Sequence, residues 1–353
     1  VTVEDSNDAK ELGDKICEHM RAPFNLGRVI VHVGATVGVA LKTNAITKPA
    51  TLIEHADYAL YNAKRSQKGV CLVFSEKDEG EMKHLFLVDQ ALRSCDLEQE
   101  LTVYYQPQVD IVEDRIIGFE VLARWNNKSL GRISPDTFIK VAEGSGLITK
   151  ITQVLLKKAL LDIVDWPRDI SVSFNLSVHD ILDESAIKNI LGIVAESSID
   201  PSRICFEITE TVMMSDVDQA CLALQALVDA GHEIALDDFG TGYSSFAYLH
   251  KLPIDKIKID GAFVRGVSVE DQSSEIISTI LSLSRSLKMV CIIEGVETEV
   301  ELAAMQCLGA RIIQGFYFGK PMKASEAHAK IVGLRDAGAS DQESEQQLET
   351  KAS

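Results

Sequence analysis

An α/β chain built mainly on a modified TIM (β/α)8 barrel with one antiparallel strand is predicted by three observations. Short β-like runs recur between Leu101 and Phe318, and helical patterns separate them from the second run onward. The first two runs, however, are joined only by "DIVEDR", too short for a parallel crossover. The runs are "LTVYYQPQV", "RIIGFEVLARW", "ISVSFNLS", "RICFEITE", "EIALDDFG", "KIKID", "VCIIEGVE" and "RIIQGFYF". Intervening stretches such as "VDQACLALQALVDAG" carry helical spacing, so strands and crossover helices alternate as a barrel requires. The short first link makes that pair a hairpin.

Before the barrel, "RVIVHVGATVGVAL" reads as β-rich, and "TLIEHADYALYNAKRSQKG" spaces Leu52, Ala56, Ala59, Leu60 and Ala63 as one helix face. The expected boundaries are a first segment over 1–75, a charged connector over 76–83, the barrel over 84–335, and an acidic disordered tail over 336–353 that is poor in apolar residues.

Composition limits the function classes. Of 353 residues, 46% are hydrophobic and 25% charged, as in a globular protein with a sizeable core. No apolar run approaches a membrane span and no signal peptide opens the chain, which starts at a valine in mid-pattern and is read as a fragment; any anchor belongs upstream. Seven scattered cysteines, an odd number without C-x-x-C, point to a reducing, cytoplasmic setting. A formal net charge of −18 disfavours DNA or RNA as partner, but not a small phosphorylated ligand held through metals.

Alternate residues of a strand share a face. Nearly every run then places a polar residue toward one rim: Gln106, Glu120, Asn175, Glu207, Asp237, Lys258, Glu294 and Gln314. Leu122 and Arg124 share the face of Glu120, and Asp260 shares that of Lys258. Each residue alone fits an ordinary role as a cap, a surface charge or a turn former. Recurrence at the same end of run after run favours a site, because barrel enzymes build theirs at that rim. Glu120, Glu207, Asp237, Asp238 and Glu294 cannot converge unpaired without protonation or a cation. An all-oxygen set suits two Mg²⁺ or Mn²⁺ ions, which activate water for in-line attack on a phosphodiester. Neighbours Asp237 and Asp238 can both join only if the strand turns irregular, which Gly240 and Gly242 make feasible.

Through "YYQP", "EVLARW", "NLS", "EITE", "DDFGTGYSS", "KIKID", "EGVE" and "QGFYFGKP", the segment from about His84 to Val332 resembles the EAL domain, the cyclic di-GMP phosphodiesterase family. Val121 replaces the middle alanine of that family's name motif. The resemblance implies one metal on Glu120, Asn175, Glu207 and Asp237, with Asp237 bridging to a second on Asp238 and Glu294. It gives Lys258 and Glu294 catalytic roles, Lys258 positioning the attacking water and Glu294 a candidate base. It implies substrate contacts or pocket support from Gln106, Leu122, Arg124, Asp260, Glu297, Gln314 and Pro321, and anchoring of the loop after Asp238 by Glu210, Gly240 and Gly242. The implied reaction is hydrolysis of cyclic di-GMP to linear 5′-pGpG in second-messenger signalling, by a homodimer; the alternative is a catalytically silent cyclic di-GMP receptor. The first block, through "VGATVGVAL" and "ADYALYNAKRSQKG", resembles the C-terminal half of a GGDEF (diguanylate cyclase) domain of α+β type. It lacks the GGDEF signature, so no cyclase activity is expected here.

Overall fold

The computed structural model describes residues 5–27, 29–42, 48–212, 216–240, 251–267 and 272–333. The chain forms two compact units, Val1–Gln90 and Ala91–Ser353.

In the first unit a helix over Ser6–Arg21 is capped by Asp5, whose carboxylate accepts from the Asn7 and Asp8 amides. Then come β1 (Phe24–Asn25) and β2 (Ile30–Val31), an antiparallel pair, and β3 (Val37–Val39), which pairs in parallel with β4 (Cys71–Val73). Strand is thus confined to short pieces of the run read as β-rich. The helix predicted from alanine and leucine spacing spans Pro49–Ser66 and buries Ala59 and Ala63. It lies so close to β3 that a Cβ on Gly38 would sit 2.3 Å from the Ala56 carbonyl oxygen, so glycine is required there. The charged stretch at 76–83 is helical, within Glu76–Ser94.

The second unit is the barrel. Its strands are β5 (Leu101–Asp110), β6 (Arg115–Asn127), β7 (Gly131–Ile133), β8 (Ser171–Asn175), β9 (Ile204–Thr209), β10 (Glu233–Phe239), β11 (Lys256–Ile259), β12 (Val290–Ile293) and β13 (Ile312–Gln314). Pairing runs β5-β13-β12-β11-β10-β9-β8-β6-β7, and contact between β5 and β6 closes the ring, leaving β7 outside a barrel of eight strands. As the short link requires, β5 is antiparallel to β6 and also to β13, while the others in the ring run parallel. The added strand β7, antiparallel to the far end of β6, was not among the eight predicted runs; at three residues it is too short to show an alternation.

Helices cover the outer faces. Phe119, Val172, Phe206, Ile208, Ile234, Leu236, Ile257 and Ile259 are buried there, opposite the polar rim residues. Trp166 packs edge-on against Tyr105 and Phe119, at 4.9 and 5.1 Å between ring centres, so Tyr105 serves packing. Trp125 is buried and donates from Nε1 to Glu100 at 3.1 Å. Among the described residues no helix is long and apolar enough to cross a membrane.

Candidate active site

Lys258, in the middle of β11, is fully buried among carboxylates brought by four other strands or strand ends. Its Nζ lies 2.7 Å from Glu207, 2.8 Å from Glu294, 3.2 Å from Asp237 and 3.5 Å from Glu120. Parallel registry produces this convergence: Glu120 pairs with Ser173, Asn175 with Glu207, and Asp237 with Thr209, so one polar side chain per strand reaches the same end. Burial works against the Lys258 charge, but the four carboxylates together hold its pKa well above the ordinary lysine value.

Several of the acids around it are raised too, which favours their neutral form. Burial pushes the Glu207 carboxyl well up, and burial also raises Asp237. Burial, with the charges of Asp237 and Glu120, takes Glu294 to about 8 despite the opposing pull of Lys258. Asp238 rises to about 6 through burial and the neighbouring charges of Asp237 and Asp260. One ammonium does not neutralise this many carboxylates, and excess negative charge in a buried site selects protons or cations.

The adjacent aspartates join one site because β10 breaks its regular alternation where expected. Its register against β11 shifts between Leu236 and Phe239, and Asp238 has φ 54°, the left-handed conformation. Gly240 follows with φ 98°, and its amide donates to Glu210 Oε1 at 3.0 Å, which ties the start of the loop to the end of β9. Two carboxylate triads result, Glu120/Glu207/Asp237 and Asp237/Asp238/Glu294, each with oxygens within 4.8 Å of one another and with Asp237 in both. Glu207 Oε1 is buried without a hydrogen-bond partner among the described residues. An orphaned carboxylate oxygen beside other carboxylates is the donor set that a hard divalent cation takes.

Amides orient Glu120. Asn175 donates from Nδ2 to Glu120 Oε1 at 2.9 Å, and Gln314 donates from Nε2 to Oε2. Gln314 Oε1 accepts from Gln108 at 3.0 Å, and Gln106 donates to the Gly319 carbonyl at 3.2 Å. Gln108 was missed by the sequence reading, although its i, i+2 spacing from Gln106 in "QPQ" carries the signal.

A cavity of about 260 Å³ opens over this cluster, lined by Gln106, Glu120, Asp237, Glu294, Glu297, Gln314, Phe316 and Arg265. Arg265 is a second miss: it follows a single 3-10 turn (Gly261–Phe263), where no periodic pattern marks it. A neighbouring cavity of about 450 Å³ shares Asp237 and is lined by Leu122, Asn175, Thr209 and Asp238. Asp260 caps the 3-10 turn by accepting from the Ala262 amide at 2.7 Å. Pro321 precedes Met322, which bridges to the backbone of Tyr105 on β5. Arg124 is not brought into the acidic cluster: its guanidinium carbon stands 5.2 Å from the centre of the Tyr104 ring, and it lines a separate cavity. Gly242 and the tail over 336–353 lie outside the described residues.

Comparison with known proteins matches this architecture. The EAL-domain profile matches residues 88–321, and the profile of the GGDEF domain of diguanylate cyclases matches residues 1–69. MucR of Pseudomonas aeruginosa, a bifunctional diguanylate cyclase/cyclic di-GMP phosphodiesterase, is 32% identical over 329 residues, 92% of this chain and 48% of MucR. The cyclic di-GMP phosphodiesterase PdeR of Escherichia coli is 31% identical over 318 residues, 89% of this chain and 48% of PdeR. The chain therefore spans about half the length of these curated relatives. A solved MucR phosphodiesterase in complex with c-di-GMP superposes with a TM-score of 0.61 at 35% identity, covering 65% of this chain and 99% of that one. On the profile match and on these identities, the chain belongs to the EAL-domain family.

Proposed function

We propose that the chain is a phosphodiesterase that hydrolyses cyclic di-GMP to linear 5′-pGpG with two divalent cations, Mg²⁺ or Mn²⁺. The observation that carries this reading is the pair of carboxylate triads sharing Asp237 around a buried lysine, with an oxygen of Glu207 left unpartnered. Glu120, Asn175, Glu207 and Asp237 would hold one ion, and Asp237, Asp238 and Glu294 the other. When bound, the ions would supply Lewis acidity and lower the pKa of a water so that it gives up a proton as it attacks phosphorus.

The chain's own residues do the rest. Lys258 stays charged and holds Glu207, Glu294 and Asp237 in place through contacts of 2.7 to 3.2 Å. Asn175 and Gln314 occupy both oxygens of Glu120 and fix its rotamer. Glu294, with its pKa near neutrality before any ion binds, is suited to accept a proton. Gln106, Leu122, Glu297 and Gln314 line the cavities where the diester would sit, Arg124 would reach the substrate from the adjoining lip, and Asp260 and Pro321 would support the pocket walls. Glu210, through the Gly240 amide, anchors the chain at the end of β10.

The neighbour solved with c-di-GMP and the relatives named as cyclic di-GMP phosphodiesterases support this substrate. A cytoplasmic homodimer is the setting we attach to the proposal, and sedimentation equilibrium tests the dimer. The competing reading is a silent receptor. Incubation with cyclic di-GMP and Mg²⁺ or Mn²⁺, with products resolved by chromatography, separates the two: pGpG is the expected product, and tight binding with intact substrate after prolonged incubation leaves only the receptor.

A further inference from the structure

The first unit holds two of the seven cysteines, Cys17 and Cys71, and both are buried. Cys17 lies on the helix Ser6–Arg21, whose buried residues Ala9, Gly13 and Cys17 follow one another four apart on one face. Cys71 opens β4, the strand that pairs with β3. The sheet brings it directly beneath the helix: a Cβ on Gly13 would lie 2.9 Å from Cys71 Cβ, closer still to Cys71 Sγ, and 3.5 Å from Val37 of β3. Any side chain at position 13 would take the place of the Cys71 sulfur. Glycine weakens a helix interior, and here the sulfur it admits accounts for it.

Cys17 stands one turn further along the same face. Cβ atoms four residues apart on a helix are about 5–6 Å from each other, and a helical side chain leans toward the turn N-terminal to its own Cα. The Cys17 thiol accordingly leans over Gly13, where Cys71 Sγ sits. These placements leave the two Cβ atoms about 3 to 9 Å apart, a range that includes the roughly 3.5–4.5 Å spanned by a disulfide. Electrostatics reports the same proximity. Burial does most to raise the Cys71 thiol, and the charges of Asp14 and Cys17 add to it against the pull of Lys10. The other five cysteines belong to the second unit, so within the first unit each of these thiols has the other as its one thiol partner. A lone buried thiol serves as a small apolar filler, whereas two that meet across a glycine are placed for covalent chemistry.

We propose that Cys17 and Cys71 are a redox pair, which a small-molecule disulfide oxidises to an internal disulfide that staples the helix Ser6–Arg21 to β4. The thiolate of one cysteine attacks a sulfur of the oxidant, and the oxidant's other sulfur leaves as a thiolate. The second cysteine, as its thiolate, then attacks the protein-side sulfur of the mixed disulfide and expels the remaining oxidant thiolate. Two protein thiols give up two protons and two electrons, and the oxidant becomes two thiols. Because both sulfurs are buried, the reaction waits on local opening of the helix. The cross-link closes a long loop containing β1, β2, β3 and the helix Pro49–Ser66, and so restrains the first unit. It stands apart from the hydrolysis reading.

Oxidised glutathione added to the reduced full chain tests the pair. After denaturation with alkylation of the remaining thiols, and then proteolysis, mass spectrometry is expected to find the Cys17 peptide joined to the Cys71 peptide, and dithiothreitol to separate them. Amide hydrogen exchange within the helix Ser6–Arg21 is expected to slow at least about tenfold on oxidation, because the cross-link suppresses local opening. Cys17→Ala and Cys71→Ala each remove that slowing, and the peptide map of the parent protein decides the matter if neither variant folds. Recovery of Cys17 and Cys71 as alkylated thiols, capping of either by glutathione alone, or pairing of either with a different cysteine overturns the inference. Exchange that slows equally in the folded Cys71→Ala variant overturns the staple.

Discussion

Strand β6 carries two opposite electrostatic environments on a single face. At Glu120, inside the ring, carboxylates from β6, β9, β10 and the end of β12 crowd one buried ammonium. At Arg124, four residues on, the side chains of Arg124, Arg132, Lys158 and Lys323 line an open cavity that holds one carboxylate, Asp162. Strand alternation puts both on the same face, and only their height along the strand separates them. Position in the barrel therefore determines their chemistry: burial raises the pKa values of Glu207, Asp237 and Glu294 and favours cations there, while the lip presents arginines, whose charge favours an anion. The proposed metal-assisted hydrolysis draws on the deep end, and the proposed substrate contact of Arg124 on the lip.

The largest expected effect comes from removing the deep end. Glu120→Ala should lower kcat by at least about 10²–10³-fold, the scale of losing a positioned electrostatic group. Near-parental turnover would break the assignment of hydrolysis to the acidic cluster. Next comes pH. Burial raises Glu294 to about 8 and Asp238 to about 6, so a cation must displace protons that these groups hold below those values. The sign is therefore weaker cation binding as pH falls from about 8 to 6, by up to about tenfold per unit for each proton displaced. Mn²⁺ titration at three pH values checks this, and flat affinity would mean that neither carboxylate is a ligand. Smaller still, Arg124→Ala should raise KM for cyclic di-GMP about tenfold and leave kcat within about twofold, because a lip residue contributes binding rather than chemistry. A fall in kcat at constant KM would place the lip inside the reaction.

Much of the deep end was legible in the sequence because strands repeat with period two and barrel sites gather at one rim. Glu120, Glu207, Asp237 and Glu294 announce themselves as acids at the same end of successive apolar runs. The irregularity at Asp238 was legible as well: two adjacent aspartates cannot share a face in regular strand, and glycine follows. The hairpin of β5 and β6 was fixed by the length of "DIVEDR" alone. At the lip, only Arg124 was legible. Arg132 reaches it through β7, three residues with no alternation to read, and Lys158 and Lys323 come from helices distant in sequence. Arg265 likewise depends on how a 3-10 turn aims its successor. Gln108 sits between these cases: its spacing from Gln106 was visible, but its hydrogen bond to Gln314 depends on β5 and β13 meeting antiparallel.

The central claim, that Asp237 is shared by two cations at the deep end, is tested most directly by Mn²⁺ stoichiometry and electron paramagnetic resonance of the full chain. Two ions per chain with a spin-coupled spectrum are predicted, with Asp237→Asn losing the coupling. A single uncoupled ion in the parent protein, or coupling unchanged in Asp237→Asn, would contradict it.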